Sequence, residues 1–269
     1  MSILIASGSK DNLRLSVSKV KTFVQCKKQF EFSYILKIPK EDKDYHIFGK
    51  FCHKVLEDFY NSYISGSLNP FNIEMGLAYK NALLEFGKQM TKDMKKECWD
   101  IINKYLKLIT QDKKNNKLSN VIACEKNFNF NISDNIILNG MIDRIQVDVD
   151  NVIHVADYKT TKNKKYLKDD WFQLLTYAYV MLNEDPSIKK IRASYILLRH
   201  DFEYITTEFN ISEILSIKDK YIQYAQDIIN EKEYTPNPSV LCKFCDYMSI
   251  CDAGKKISEP HKVFGEVNW

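Results

Sequence analysis

Two short runs carry most of the chemically useful side chains: Gly140-Met141-Ile142-Asp143-Arg144 and Val155-Ala156-Asp157-Tyr158-Lys159. Between them Asp148-Val149-Asp150-Asn151 has the composition of a turn. A hairpin centred near Asp150 sets Ile145 opposite Val155 and Val147 opposite Ile153, the register that joins the apolar faces of a one-sided sheet. That register also sets Asp143 opposite Asp157, with Cβ atoms roughly 5 Å apart. Lys159, two residues on, projects from the same face as Asp157. Two carboxylates so close repel and raise a pKa unless a cation lies between them. Oxygen ligands of this kind suit Mg²⁺ or Mn²⁺. Beside such an ion, Lys159 can orient or deprotonate a water, or stabilise negative charge developing on a phosphate. For Asp157-Tyr158-Lys159 alone the plainer alternative is an ion pair at a strand end, and the opposed Asp143 argues against it.

Two helical patterns point at the same place. Gly49-Lys50-Phe51-Cys52-His53 continues to Leu56-Glu57, which puts His53 and Glu57 on one face at i, i+4. A neutral imidazole supplies the nitrogen of a mixed nitrogen–oxygen metal site. Gln173 and Tyr177 share a face at the same spacing and can hydrogen-bond a lysine or a phosphate. Lys159, Lys162, Lys164, Lys165 and Lys168, with Arg144 and Trp171 nearby, form a phosphate-contacting edge; alone, such a run is a solvated loop.

A second constellation lies near the end of the chain. Cys242-Lys243-Phe244-Cys245 followed by Cys251 is C-x2-C-x5-C, a compact ligand spacing that needs a fourth thiolate, and Cys26 is the candidate. All-thiolate ligation suits zinc or an iron–sulfur cluster, and spacing does not separate them. Cys52, Cys98 and Cys124 lie within helical or strand patterns and read as small buried hydrophobes.

The elements that must position these residues follow from periodicity. Ser16 or Ser18 caps a helix running to about Tyr34, a second helix fits 48–64, and further helices fill 71–109. Strands are predicted over 121–132, 136–147, 152–159, 191–198 and 203–209, with helices over 171–182 and 211–231. This is an α/β chain, a mixed sheet flanked by helices, with a helical insertion at about 53–118. It is expected to form one domain over 1–269, in which 236–253 and Cys26 make a small metal-bearing subdomain.

Composition sets the outer bounds. Hydrophobic residues make up 45% of the 269, with 15 Phe and 16 Tyr, which excludes a disordered chain. Only 8 Gly and 6 Pro argue against collagen-like and many-turned all-β designs. Lys and Arg number 39 against 35 Asp and Glu, a net charge of +4 that permits nucleic-acid binding without requiring it. Ile3-Leu4-Ile5-Ala6 is too short for a signal-peptide core, and seven cysteines without an export signal suit a reducing compartment. The expectation is a cytoplasmic protein.

Taken in order, these residues resemble the RecB-like nucleases of the PD-(D/E)XK superfamily, in the iron–sulfur branch. That branch includes the AddB C-terminal nuclease and the nucleases accompanying CRISPR spacer acquisition. The resemblance runs from Cys26 to Cys251, on Gly49-x-x-x-His53-x-x-Leu56-Glu57, Gly140-Met141-Ile142-Asp143, Asp157-Tyr158-Lys159, Gln173-x-x-x-Tyr177 and the cysteine set. It implies a restriction-endonuclease-like core in which His53, Asp143, Asp157 and the Tyr158 carbonyl bind Mg²⁺ or Mn²⁺. It makes Lys159 the catalytic lysine and Gln173 with Tyr177 an accessory motif. It also implies that Cys26, Cys242, Cys245 and Cys251 hold a [4Fe–4S] cluster, with zinc as the alternative, stapling the N- and C-terminal segments. Gln146 stands where many relatives carry a second acid, which leaves the number of metals open.

The function so implied is a metal-dependent deoxyribonuclease, an exonuclease acting on DNA that is single-stranded or has free ends. Arg144, Lys162, Lys164 and Lys165 are its expected phosphate contacts, and a helicase or other DNA-processing protein its expected partner. No G-x-x-x-x-G-K-[ST] run is present, so the chain carries no motor of that type. The alternative is a catalytically silent iron–sulfur or zinc DNA-binding or scaffold module in repair, recombination or CRISPR adaptation.

Overall fold

The computed structural model describes residues 12–40, 43–167 and 170–258; the Ile3–Ala6 run and Lys168 lie outside them. β-branched and aromatic residues at alternate positions form the strands β1 (Leu13–Leu15), β2 (Asn120–Ser133), β3 (Ile136–Val147), β4 (Ile153–Lys159), β5 (Lys190–Leu197) and β6 (Glu203–Asn210). They make a six-stranded mixed sheet in the order β1-β3-β4-β5-β6, with β2 also on β3. β3 and β4 are antiparallel, with Ile145 opposite Val155 and Val147 opposite Ile153, the expected register. Their ladder reaches Arg144 opposite Ala156, one step short of Asp143 and Asp157. β4 and β5 are parallel, so the chain must cross over between them. The helix α6 (Phe172–Glu184) makes that crossover, and Leu174 to Leu182 are buried on every side of it.

Contacts divide the chain into two compact units, one of Met1–Glu41, Asn131–Leu138 and Tyr221–Trp269, the other of Asp42–Phe130 and Asn139–Lys220. In the second, α3 (Asp44–Ile64), α4 (Phe71–Phe86) and α5 (Lys92–Lys114) build the helical stretch expected ahead of the sheet. Phe51, Val55, Leu56 and Phe59 of α3 share a core with Ile102 and Tyr105 of α5 and with Ala156 and Ile196 of the sheet. Each of the Phe, Val, Leu and Ile side chains stabilises the fold by roughly 1.5–3 kcal/mol on burial, which fixes α3 against the strand that carries Asp157.

In the first unit the predicted single helix from Ser16 to Tyr34 is divided. Ser16 caps α1 (Val17–Gln25) by accepting from the Lys19 N–H. Cys26 then takes an extended conformation, φ −161° and ψ 111°, before α2 (Lys27–Phe30) and a π-helical turn, Glu31–Ile35. Phe30 packs between Phe23 and Tyr34, and Tyr247 from the C-terminal segment meets Phe32 and donates to the Ile38 carbonyl. α7 (Ile211–Asn230) buries Ile214, Ile217, Tyr221, Ala225 and Ile228 at three- and four-residue spacing, and α8 (Asp252–Ser258) follows Cys251. No helix among the described residues is long and apolar enough to cross a membrane.

Candidate active site

The ends of β3 and β4 place Asp143 and Asp157 in the interior, 8% and 2% exposed. Asp143 Oδ2 accepts the Tyr158 backbone N–H at 2.9 Å, which ties one strand end to the other. α3 brings His53 to the same point. Its Nδ1 lies 3.5 Å from Asp143 Oδ2 and 3.6 Å from Glu125 Oε1, and its Nε2 lies 3.2 Å from the Tyr158 carbonyl oxygen. One ligand atom from each of His53, Glu125 and Asp143 lies within 4.8 Å of the others.

Burial alone would lower the His53 pKa; Asp143, Glu125 and Asp157 outweigh it and raise the imidazole to about 9. Burial, then the neighbouring Asp157, pushes Asp143 up to about 7 against the pull of His53. Burial and a neighbouring carboxylate thus both oppose ionisation of Asp143. Imidazole nitrogen with carboxylate oxygens is a donor set that fits Mg²⁺ or Mn²⁺.

Asp157 faces a different set of partners. Its Oδ1 accepts from Gln173 Nε2 at 2.5 Å and from the Tyr177 hydroxyl at 3.3 Å. Its Oδ2 is buried, accepts no well-directed hydrogen bond, and lies 2.5 Å from Lys159 Nζ. Lys159 also donates to Gln173 Oε1 at 3.0 Å, and Gln173 Nε2 reaches the Tyr177 hydroxyl at 2.9 Å. The Gln173 amide therefore has one orientation, oxygen to the lysine and nitrogen to the acid. Lys159 Nζ lies over the Tyr195 ring, 5.2 Å from its centroid, while Tyr195 stacks on Trp171 and donates to the Asp170 carbonyl. Burial would lower the Lys159 pKa, but Asp157 overcomes it and holds the ammonium protonated above its ordinary range.

Of the residues singled out by sequence, His53, Asp143 and the Tyr158 carbonyl come together at one point. Asp157, Lys159, Gln173 and Tyr177 interlock beside it. Glu125 joins them without any sequence signal. It sits within β2 with φ 46°, a left-handed conformation that a non-glycine residue adopts at a strain of order 1–3 kcal/mol. Glu57, expected beside His53, pairs with Lys54 instead.

Arg144 corrects an expectation. It is 2% exposed, donates to the Tyr105 hydroxyl at 2.8 Å and packs its guanidinium on the Tyr60 ring. Alternation along β3 sends it to the face opposite Asp143, where it offers nothing to a phosphate. Lys162 is exposed, Lys164 pairs with Glu203, and the Lys165 side chain lies outside the described residues.

The cysteine set belongs to the first unit. Cys26, Cys242, Cys245 and Cys251 are free, partly buried, and line one cavity of about 20 Å³ with Pro236, Asn237 and Pro238. The Asn237 N–H points at Cys26 Sγ at 3.5 Å and the Ser239 N–H at Cys242 Sγ at 3.4 Å. Burial, with Asp246, Cys242 and Cys26 adding to it, pushes the Cys245 thiol up. Four cysteine sulfurs lining one small cavity are the donor set of a thiolate-bound metal group. Cys52 and Cys98 are fully buried with sulfurs 3.3 Å apart, in the core of the second unit.

Fold and site together define a class: a mixed sheet flanked by helices, with acids and a lysine gathered at adjoining strand ends, as in restriction-endonuclease-like proteins. The chain belongs to the PD-(D/E)XK nuclease superfamily, whose family model matches residues 14–252. It is similar to an uncharacterised protein of Rickettsia bellii, 27% identical over 161 residues, 54% of this chain and 18% of that protein. It is similar also to a subunit of the ATP-dependent helicase/deoxyribonuclease of Streptococcus pyogenes serotype M6, 25% identical over 158 residues, 56% of this chain and 14% of that subunit. The chain thus spans 18% and 14% of the length of these two curated relatives. Among solved structures, one named "Putative exonuclease", from Eubacterium rectale, superposes with a TM-score of 0.51 over 95% of this chain and 91% of that one. At 12% identity it shares the fold.

Proposed function

We propose that this protein is a divalent-metal-dependent deoxyribonuclease, an exonuclease that hydrolyses phosphodiester bonds in DNA that is single-stranded or has free ends. One observation carries the reading: Asp143, Asp157 and Lys159 converge beside His53, with Gln173 joining lysine to acid. An ion pair kept for stability alone has no need of an imidazole and a third carboxylate alongside. The names of the Streptococcus and Eubacterium relatives agree with it.

His53, Asp143 and Asp157, with the Tyr158 carbonyl, would hold Mg²⁺ or Mn²⁺, and Glu125, beside His53 and Asp143, would join them. Such an ion supplies Lewis acidity and lowers the pKa of bound water. Lys159, kept as an ammonium by Asp157, stabilises negative charge on the phosphate and acts as a proton holder at Nζ. Gln173 and Tyr177 fix Asp157 Oδ1 and leave Oδ2 turned to the lysine. Lys162 and Lys164 guide the strand from the loop after β4.

The four cysteines would hold a [4Fe–4S] cluster, with zinc the alternative, in a structural role. A helicase is the proposed partner, on the name of the Streptococcus relative alone.

The test is digestion of end-labelled linear and closed circular DNA, single- and double-stranded, with Mg²⁺ or Mn²⁺. An exonuclease shortens linear DNA and spares circles. Cleaved circles would make it an endonuclease, and binding without cleavage of any substrate would favour the silent module.

A further inference from the structure

The segment leaving β4 is held by three successive carbonyls. The Lys159 carbonyl accepts from the Leu198 N–H at 3.0 Å, the Thr160 carbonyl accepts from Arg199 Nη1, and the Thr161 carbonyl lies 3.1 Å from His200 Nε2. Three consecutive residues of the turn after β5 thus grip the three residues that begin with Lys159. Arg199 makes this grip directional. Its Nε and Nη2 fork onto Glu97 of α5 at 2.6 and 3.1 Å, and its guanidinium lies 4.0 Å from the centroid of the Phe48 ring. The side chain of Arg199 is 13% exposed.

The turn itself is braced on α5. Asp201 and Phe202 both take left-handed backbone, φ 53° and 58°. Phe202 is buried and stacks on Tyr105, with ring centroids 4.3 Å apart, and Asp201 pairs with Lys104. Strain of this kind persists only where the surroundings enforce it. Only four of the 39 cationic side chains are Arg, and a planar fork is what a lysine cannot supply at this position.

We propose that Arg199, braced by Glu97, is a positioning residue for Lys159. Gln173 and Asp157 meet the ammonium, but a four-carbon stem places Nζ reproducibly only if its Cα is fixed. Arg199 fixes it through the Thr160 carbonyl, and with it the Tyr158 carbonyl that faces His53. The helical stretch before the sheet thereby serves the strand end by way of Glu97. The inference rests on the nuclease reading only in giving Lys159 a part in hydrolysis.

The experiment compares the unaltered chain with Arg199→Met, Arg199→Lys, Glu97→Gln and Arg192→Met. Arg192 lies at the other end of β5, in a network with Asp148, Asp150 and Glu208, and serves as a structural control. Single-turnover cleavage, DNA affinity, thermal midpoint and amide exchange at Leu198 are measured for each. Arg199→Met should slow cleavage by about 10–100-fold with DNA affinity unchanged, as loss of alignment does. Leu198 should exchange faster, Arg199→Lys should recover part of the rate, and Glu97→Gln should lose less than Arg199→Met. Arg192→Met should lower the midpoint and leave cleavage by the folded protein unchanged. Wild-type cleavage in Arg199→Met, or losses in both arginine variants that merely track their midpoints, would overturn the proposal. If the wild-type chain cleaves nothing, the nuclease reading falls and exchange decides the clamp. Faster Leu198 exchange at an unchanged midpoint then supports it, and unchanged exchange overturns it.

Discussion

The carboxylate site and the cysteine set are both gathered from residues distant in sequence, and they are held in opposite ways. Around Asp157 the partners are already in place: Gln173, Tyr177 and Lys159 contact its carboxylate, and the strand beneath is packed on buried Val155, Ala156 and Ile196. The cysteines sit at a helix break and in a turn-rich tail, among Val240 and Phe244 that are 75% and 67% exposed. Apolar burial builds the first site, whereas at the second Phe30 and Tyr247 are buried beside cysteines that remain partly exposed. A site made by packing survives loss of its ion, whereas a site made by its ligand folds with it. Removing the bound group should therefore stop chemistry at the first and loosen structure at the second.

The largest effect expected is at the cysteines. Cys26 and Cys242 are 216 positions apart (242 − 26), so a shared cluster closes most of the chain into one loop. Constraining a loop of that length stabilises by about 5 kcal/mol in the chain-entropy account. Anaerobically purified protein should be brown, with about four irons per chain. Cys26→Ser should bleach it and lower the thermal midpoint, whereas Cys98→Ser should keep the colour. Colourless protein with one zinc per chain would replace the cluster and preserve the contrast between the sites; colour that survives Cys26→Ser would remove it.

At the carboxylates the contrast predicts loss of rate with little loss of fold. Gln173→Ala should reduce cleavage by about 10–100-fold, as supporting residues around a metal site do. Tyr177→Phe should remove two hydrogen bonds, to Asp157 and from Gln173, a stability loss of about 0.5–1.5 kcal/mol each, and keep the packing. A collapse of the midpoint in either variant would mean that this site too is structural.

Proton linkage gives a third, smaller effect. The raised His53 pKa stabilises the metal-free protein below its unfolded value near 6.5, and that contribution is lost as pH rises through about 9. Asp143 has its pKa raised to about 7, so the ionisation that burial opposes begins to weigh on stability as pH climbs above the unfolded value near 3.9. Both effects run the same way, so metal-free protein should lose stability from pH 6 to 9. Mn²⁺ should restore it and should bind with release of protons, with affinity rising over that range. Calorimetry in two buffers of different ionisation enthalpy measures that release, and zero release would detach the metal from these residues.

The smallest effect concerns the loop. Neutralising Lys162 and Lys164 together should lower the salt slope of DNA binding by roughly 0.7–0.9 for each phosphate left without its cation. Lys164 is engaged with Glu203, so Lys162 should account for the larger share. An unchanged slope would return the run to a solvated loop.

What sequence made legible was whatever a local period controls. Alternation and a turn specified the β3–β4 register as far as Arg144 opposite Ala156, one step short of Asp143 and Asp157. Three features escaped it. The break at Cys26 interrupts an unbroken helical apolar pattern, and the contacts made there come from Asn237, 211 residues on. Glu125 looks like any strand acid, because its left-handed backbone leaves no mark in composition. Arg144 reads as a surface cation by residue type, although alternation along β3 already assigns it to the face away from Asp143.

The most direct measurement is single-turnover cleavage of end-labelled DNA by Asp157→Ala and Lys159→Ala beside the wild-type chain, with affinity and thermal midpoint measured on the same samples. The carboxylate site, if catalytic, should lose about 10²–10³-fold or more in rate in each variant, with binding and folding largely kept. Near wild-type cleavage by either variant would contradict it.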